Sequence, residues 1–296
     1  MSLYISNKNE RQQVKKYNIG KEKYTPLFLI DIFLFPIRGY SEQKTKGRQL
    51  NMLTDYHCHI LPEFDDGAKD AETALEMINI MKEQGVERVI ATPHFYAHEE
   101  RSLSEYLLRR EEAYESLAGI AAEQNIVLPH MSLGAEIAIE HGISMIHGID
   151  KLAIEDSDMI LLELPFRDYE DWMSDEINAI RSEYGLTVVL AHIHRYMAYY
   201  TPENFEKILE TDAVFQFNNE VFLLERESQL IEKLINDKRS IIFGSDAHNT
   251  DSRRPNWDLL KEKCDPGLIR ASDEYLPFTA IEVNDGDQIN MISDQS

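Results

Sequence analysis

The sequence is poor in cysteine and has no long uninterrupted apolar run. Its 296 residues include two cysteines, Cys58 and Cys264, which give no disulfide framework and fit a reducing compartment. The most apolar stretch, residues 25–37, is shorter than the roughly 20 residues that cross a bilayer, and Asp31 interrupts it. No small-residue cleavage site follows it, so a signal peptide is not predicted. A cytoplasmic protein is therefore expected.

Positive charge is also scarce, and it is concentrated at one end of the chain. The net charge of −23 argues against a protein that binds nucleic acid through phosphate contacts, because such proteins need a basic face. Residues 1–51 nevertheless carry a net +6, whereas the remaining residues carry −29. Residues 1–51 are therefore interpreted as a basic, partly apolar N-terminal extension, and residues 273–296 as a loosely held acidic C-terminal tail.

Three hypotheses remain open for this N-terminal extension. It could be an extra element packed on the main fold, a weakly ordered segment, or an anchor that brings residues 21–48 to the inner face of the membrane. Translation could also begin at Met52, which would leave the extension outside the natural protein. The oligomeric state is left open.

Residues 52–272 are expected to form one domain, because no linker rich in Gly, Ser or Pro divides them. Short β-rich runs alternate there with segments of helical spacing. Strands are predicted at residues 53–57, 87–92, 130–136, 159–164, 186–192, 213–218 and 240–246. Helices are predicted at residues 70–85, 102–125, 171–185, 201–210 and 226–238. Seven β/α units predict an α/β fold with a parallel, closed (β/α)7 barrel.

Ligand-type side chains stand at six of the seven predicted strand ends. In β/α barrels, the C-terminal ends of the strands carry the working residues. In chain order they are His57 and His59, His94, Glu136, Glu163, His192, and Asp246 with His248. The sixth strand lacks an obvious ligand, although Asn218, Asn219 and Glu220 follow it. Each residue alone fits a hydrogen-bonded loop position, but the occurrence of such residues at six of the seven strand ends predicts a metal site.

The spacing of the first two histidines supports this prediction. Residues i and i+2 of a strand point to the same face, so His57 and His59 can converge on one ion. Cys58 then points the opposite way, as a packed thiol. The remaining histidines are assigned surface or structural roles: His98, His130, His141 and His147.

The residue types also indicate which ions would bind. Imidazole mixed with carboxylate, without thiolate, suits Mn, Fe, Co or Zn. The ligands are too many for one ion, so two or three divalent ions are expected. Three such ions would exceed the charge of four carboxylates, Asp66, Glu136, Glu163 and Asp246. The surplus positive charge would receive an anionic substrate.

Several motifs resemble one known family. They are "TDYHCHILPEFDDG" (54–67), "TPH" (92–94), "GAE" (134–136), "LLEL" (161–164), "LAHIHRY" (190–196) and "GSDAHNTDSRRP" (244–255). Together they are similar to the PHP (polymerase and histidinol phosphatase) superfamily, and most of all to the bacterial metal-dependent tyrosine phosphatases of capsular and exopolysaccharide synthesis. The similarity runs in order over residues 52–255 and implies a distorted, TIM-like (β/α)7 barrel.

The resemblance also implies how the ligands are shared among three ions, with manganese as the expected metal. The first ion would be held by His57, His59, Glu136 and Asp246. Glu136 would bridge to a second ion, which Glu163 and His192 would also bind. Asp66, His94 and His248 would hold the third. Arg195 and Arg253 match arginines that grip the phosphoryl group, and Arg254 is an adjacent alternative to Arg253.

The implied reaction is hydrolysis of phosphotyrosine by a metal-bridging hydroxide. Similar enzymes usually carry Glu where this chain has His194, so His194 is either a catalytic acid or a side chain packed beside the site. The implied protein substrate is a membrane-bound tyrosine autokinase. Two alternatives stay open: a phosphatase of small monoesters such as histidinol phosphate, and an inactive metal-binding scaffold.

One motif suggests a different chemistry. "CDPGLIR" (264–270) has the C-x5-R spacing of cysteine-dependent tyrosine phosphatases. Pro266 would remove a backbone donor from the phosphate cradle, and Asp265 would add a negative charge beside it. The preceding "LKEKC" is typical of a helix end. A thiolate mechanism is therefore not expected.

Overall fold

The computed structural model describes residues 52–276. The hypotheses for residues 1–51, and most of the expected acidic tail, fall outside this range. Within residues 52–276, the helices are all too short or too polar to pass through a membrane.

Nine parallel strands form the centre of the part of the chain that is described. They are β1 (Thr54–Cys58), β2 (Arg88–Ala91), β3 (His94–Phe95), β4 (His130–Leu133), β5 (Glu136–Ala138), β6 (Met159–Glu163), β7 (Thr187–Leu190), β8 (Val214–Asn218) and β9 (Ile241–Gly244). They pair in the orders β1-β2-β4 and β3-β5-β6-β7-β8-β9.

The two sheets join into one ring of seven strand positions. β3 continues the line of β2, and β5 continues that of β4. Backbone hydrogen bonds from the Gly134 N–H to the Ala91 oxygen (2.8 Å) and from the Glu136 N–H to the Pro93 oxygen (3.0 Å) cross these breaks. The Asp246 N–H donates to the His57 oxygen at 2.7 Å and closes the ring between β9 and β1. The predicted α/β barrel is confirmed, with the third predicted strand, 130–136, divided between β4 and β5.

Helices cover the outside of this ring. They are α1 (Ala71–Glu83), α2 (Leu103–Glu123), α3 (Asp171–Tyr184), α4 (Pro202–Leu209), α5 (Glu225–Asn236), α6 (Trp257–Lys263) and α7 (Pro266–Asp273). The side chains of Asp70, Ser102 and Thr201 cap α1, α2 and α4 by accepting a backbone N–H of the first turn. The five predicted helices are α1 to α5. Their apolar faces pack with the outward-facing strand residues in the larger core cluster.

Side chains that alternate along each strand point into the barrel. Near the N-terminal ends of the strands these side chains are apolar and form a second core cluster: Tyr56, Ile90, Met159, Leu161, Val189, Val214 and Ile242, with Ile154 and Ala191. Toward the C-terminal ends of β2, β6, β8 and β9, the next one or two inward-facing positions hold polar residues. The barrel interior is therefore divided into an apolar layer and a polar layer.

The C-terminal end of the described chain covers the apolar layer. Tyr275 and Leu276 pack on it. The Thr54 N–H donates to the Asp273 carboxylate at 2.9 Å, and Arg88 donates to the Leu276 oxygen at 2.8 Å. Residues 273–276, placed in the acidic tail by the sequence, thus lie against the barrel. The polar layer occupies the opposite end.

Candidate metal centre

The structure brings all nine predicted ligands to the polar layer. Glu136, 1% exposed, lies at the centre. Its carboxylate oxygens are 3.3 Å from His57 Nε2, 3.2 Å from His59 Nε2 and 2.7 Å from His192 Nε2. Asp246 Oδ1 lies 3.6 Å from the same nitrogen of His57. Residues that are up to 189 positions apart in the sequence therefore present ligand atoms to one small volume.

The other predicted ligands continue this arrangement toward the surface. Asp66 Oδ1 lies 3.3 Å from His94 Nε2 and 3.4 Å from His248 Nε2. Glu163 Oε1 lies 3.6 Å from His192 Nε2. His59 takes part in two groups of ligand atoms that lie within 4.8 Å of one another, one with Asp66, His94 and His248, the other with His57 and Asp246. A third group joins His94, Glu136 and Glu163.

Outer hydrogen bonds fix the orientation of three imidazoles. His59 Nδ1 lies 2.7 Å from Asp65 Oδ2, and His57 Nδ1 lies 3.1 Å from Gln216 Oε1. His248 Nδ1 lies 2.9 Å from a backbone carbonyl oxygen. Since these oxygens accept the Nδ1 proton, each Nε2 faces the polar layer and is the nitrogen left to bind a metal ion in place of a proton. Imidazoles held in this way are suited to bind divalent ions.

The electrostatic environment of the polar layer also favours bound cations. Burial lowers the pKa of His94, but the charge of Glu136 and the bond to Asp66 outweigh it and raise this pKa to about 11. Burial likewise lowers the pKa of His59, and Asp65 raises it to about 9. The crowded carboxylates thus create a strongly negative potential, which protons or metal ions would offset. With imidazole and carboxylate donors and no thiolate, the set fits Mn, Fe, Co or Zn.

Unusual backbone conformations position two of the ligands. His192 has φ 32° and Asp246 has φ 49°, in the left-handed region that non-glycine residues rarely adopt. Each lies two residues after the end of its strand, β7 or β9, where this turn directs its side chain into the polar layer. A close approach accompanies them: a Cβ built on Gly244 would lie 2.7 Å from both the Cβ and the N of His57. A side chain at position 244 would therefore displace β1 and its histidine.

Three polar residues that support the ligands were not assigned to the site from the sequence. Asp65 accepts the backbone N–H groups of His94 and Gly67 as well as the His59 ring N–H. Gln216 contacts His57 and also accepts the His192 N–H at 2.6 Å. Asn218 donates to Asp246 Oδ2 at 3.0 Å. Gln216 and Asn218 alternate within the apolar run of β8, and this pattern was the available signal.

Arg195 and Arg253 both reach the polar layer. Arg195 contacts Asp246 Oδ2 at 2.7 Å, and Arg253 donates to Asp246 Oδ1 at 2.8 Å. Burial raises the pKa of Asp246, but Arg195, His57 and Arg253 together hold it well below its usual range. Arg254 instead pairs with Asp258 in the first turn of α6, at 3.0 Å. Of these two adjacent arginines, Arg253 is therefore the one that contacts the polar layer.

His194 packs into the core beside the other predicted site residues. It is 3% exposed, and its ring stacks on Phe217 with centroids 5.8 Å apart. Phe217 belongs to the larger core cluster, between the strands and the helices. Burial, followed by the charge of Arg195, lowers the pKa of His194 well below its usual value, so its ring is neutral near pH 7. The geometry favours a packing role for His194 over a role as a catalytic acid.

The thiols and the other histidines lie apart from the polar layer. Cys58 is buried in the outer core cluster, as predicted. Burial raises the pKa of Cys264 to about 12, and Asp265 accepts the N–H groups of Gly267 and Leu268 as the cap of α7. No free phosphate cradle exists at that motif within the described chain. The four histidines assigned to surface or structural roles are exposed: His98, His130, His141 and His147.

Comparisons with known proteins agree with this geometry. A family model for capsular polysaccharide synthesis, CpsB/CapC, matches residues 53–268. Tyrosine-protein phosphatase YwqE of Bacillus subtilis (strain 168) is 31% identical over 148 residues, which span 48% of this chain and 55% of that protein. Tyrosine-protein phosphatase CpsB of Streptococcus pneumoniae is 27% identical over 241 residues, 71% of this chain and 90% of that protein.

A solved structure shows the same fold. It comes from crystallographic work on YwqE and on the Streptococcus pneumoniae CpsB, described as unique metal-dependent tyrosine phosphatases. It superposes with a TM-score of 0.60 and 25% identity, and covers 73% of this chain and 89% of the other.

Proposed function

The chain belongs to the CpsB/CapC family of capsular polysaccharide synthesis, and from this membership we propose that it is a metal-dependent protein-tyrosine phosphatase. One observation carries the proposal: imidazoles and carboxylates from six strand ends and one loop meet in a single layer, with two arginines beside them. Relatives that carry the name tyrosine-protein phosphatase match most of the barrel.

The proposed ligand sets are those that the resemblance implies. The groups of neighbouring ligand atoms contain every proposed ligand except His192, which lies 2.7 Å from Glu136. His57, His59, Glu136 and Asp246 would hold one ion; Glu136, Glu163 and His192 a second; and Asp66, His94 and His248 a third. Manganese is our first choice, with Fe, Co and Zn as alternatives. When bound, such ions would supply a hydroxide at neutral pH by lowering the pKa of water, and they would offset charge on the phosphoryl oxygens.

The arginines provide the other half of phosphoryl recognition. Arg195 and Arg253 are 30% and 37% exposed, so their guanidinium groups remain accessible to a substrate while they touch the polar layer. Guanidinium donates paired N–H groups that match phosphoryl oxygens. In this proposal they orient the phosphate and stabilise the charge that develops on its equatorial oxygens.

The leaving group requires little acid catalysis. Tyrosine phenolate has an unperturbed pKa near 10, lower than that of an alkoxide, and it therefore leaves more readily. This agrees with a neutral, packed His194 beside the site. It also agrees with thiols that are protonated at neutral pH, which are poor nucleophiles.

The physiological substrate that we propose is a tyrosine autokinase of capsular or exopolysaccharide synthesis, located at the membrane. The family's link to capsular polysaccharide synthesis supports this choice. Peripheral contact with the inner membrane through residues 21–48 would bring the phosphatase to such a partner, since this stretch combines apolar and lysine residues.

The test combines elemental analysis of the purified protein with turnover of three substrates. A phosphotyrosine peptide, the matching phosphoserine peptide and histidinol phosphate are assayed before and after chelation. We expect preferred turnover of phosphotyrosine, loss with chelator and recovery with Mn²⁺. Preference for histidinol phosphate would indicate a small-monoester phosphatase. A metal-loaded protein that turns over none of the three would indicate an inactive scaffold.

A further inference from the structure

Two exposed aromatic rings stand beside the polar layer and have no part in the functions assigned so far. Among the large hydrophobic side chains that are exposed in residues 52–276, the aromatic ones are Phe166 and Tyr199, at 43% and 50%. Exposed rings of this size leave apolar surface in water, which is unfavourable unless a ligand covers it.

Their location ties them to the candidate metal centre. Phe166 follows Glu163 by three residues, in the loop after β6. Its ring lies 5.7 Å from the ring of His192, nearly parallel at 22°. Tyr199 lies at the end of the 3-10 helix that begins just after His192, and its ring meets Phe166 at 5.2 Å and 60°. Both rings therefore stand at the same mouth as the ligands.

Phe166 is held in place although it is exposed. One side of its ring stacks on the buried Tyr196, with centroids 5.4 Å apart and planes at 26°. The Tyr196 hydroxyl in turn accepts the Leu164 N–H at 2.9 Å, which fixes the start of the same loop. A ring that is already oriented loses little conformational entropy when a second ring packs against it.

We propose that Phe166 and Tyr199 form an aryl-recognition surface for the leaving group of the substrate. This inference rests on the proposed phosphatase function and names the residues that would contact the aromatic ring of its substrate. The phosphorus of an aryl phosphate is separated from the aromatic ring by a single oxygen. With the phosphoryl group at Arg195 and Arg253, that ring lies against Phe166 and Tyr199 in offset or edge-to-face contact.

Binding of phosphonates tests the proposal separately from turnover. Phenylphosphonate carries a ring and methylphosphonate lacks one, and neither is hydrolysed. Titration calorimetry on the Mn²⁺-loaded full chain gives the ratio of their two Kd values. We expect a preference of roughly tenfold or more for phenylphosphonate, from ring contact and burial. Phe166→Leu should reduce this ratio by about five- to tenfold, because it keeps apolar volume and removes the ring.

Two further variants complete the design. Tyr199→Leu should reduce the same ratio to a smaller degree, because this ring meets Phe166 at its edge. Leu108→Ala, an exposed apolar position on α2 that is 59% exposed, is the matched control and should keep the wild-type ratio. Circular dichroism melting confirms that each variant folds.

The outcomes distinguish aryl recognition by Phe166 and Tyr199 from the phosphatase function itself. A Phe166→Leu variant that keeps the wild-type ratio overturns aryl recognition and leaves phosphatase function intact. A wild-type protein that binds neither phosphonate and hydrolyses no phosphomonoester refutes the phosphatase function itself, and aryl recognition with it.

Discussion

Asp65 offers a sharp test of how the ligands are positioned, because it contacts the candidate metal centre without belonging to the predicted ligand set. Its Oδ2 lies 2.7 Å from His59 Nδ1 and accepts the His94 N–H at 2.9 Å, while Oδ1 accepts the Gly67 N–H at 2.9 Å. Asparagine has a single oxygen. In Asp65→Asn, either orientation of the amide would turn its NH2 group toward a donor N–H.

The structure gives the magnitude. Burial raises the pKa of Asp65, but the charge and hydrogen bond of His59 outweigh it and lower this pKa from 3.8 to about 2. A shift of this size corresponds to about 2 kcal/mol of interaction with the ionised carboxylate. Loss of a carboxylate that orients a metal-binding histidine typically costs roughly 10- to 100-fold in metal affinity. We therefore expect Asp65→Asn to lose Mn²⁺ affinity by roughly 10- to 100-fold.

The pH dependence follows from the same shift. Because the pKa is lowered in the folded state, the stabilisation from Asp65 is present above about pH 4 and is lost as the pH falls toward 2. In chelator, the wild-type free energy of unfolding should exceed that of Asp65→Asn by about 2 kcal/mol at neutral pH, and the difference should shrink toward pH 2.

The assays are calorimetric titration with Mn²⁺ and urea unfolding in chelator. Glu63→Gln, an exposed carboxylate on the same loop, is the matched control and should leave both unchanged. An Asp65→Asn variant that keeps wild-type Mn²⁺ affinity would refute the reasoning that this carboxylate orients His59.

Other changes test separate parts of the structure. Arg253→Ala should lower kcat/KM on a phosphotyrosine peptide by roughly 10- to 100-fold, as expected for a lost charged hydrogen bond, while Arg254→Ala changes it little; equal losses would contradict the assignment. Cys264→Ser should leave turnover unchanged, and a metal-loaded but inactive variant would revive the thiolate route. Gly244→Ala should destabilise the protein by about 1–3 kcal/mol in urea unfolding, because the added carbon overpacks against His57. Gly119→Ala is the control and should not destabilise the protein, because nothing lies within 4 Å of its added carbon. A Gly244→Ala variant of wild-type stability would argue against the close approach to His57. Removal of residues 1–50 should preserve turnover of small substrates and weaken binding to anionic liposomes, and unchanged binding would exclude membrane contact through this segment.

Sequence reasoning found the barrel because strand and helix periodicities alternate strongly from residue 53 onward. It found the ligands because inward-facing residues at strand ends must meet in a closed ring, so one topological assumption places His57, Glu136, His192 and Asp246 together. The break of the third strand at Gly134 was not predicted, since "HMSLGAE" is continuous in hydropathy. The chain leaves β4 there and resumes as β5 without changing its place in the ring.

The supporting residues were missed for a different physical reason. Gln216 and Asn218 carry amides, which are weak metal ligands, and a search for imidazole and carboxylate passes over them. Asp65 and Asp66 are adjacent and chemically identical. The resemblance implied the position of Asp66 beside His94 and His248, but the contact of Asp65 with His59 is visible in the structure alone. His194 and Arg254 differ from the neighbouring site residues in the direction in which their side chains point. Sequence spacing does not determine that direction in the loops after the strands, where the backbone makes left-handed turns.

Anomalous X-ray diffraction from crystals grown with Mn²⁺ tests the central claim most directly. We expect two or three anomalous peaks in the polar layer, each in contact with ligand atoms of His57, Glu136, Asp246 or their neighbours in the candidate metal centre. A layer without anomalous density at saturating Mn²⁺, or peaks confined to other parts of the molecule, would contradict it.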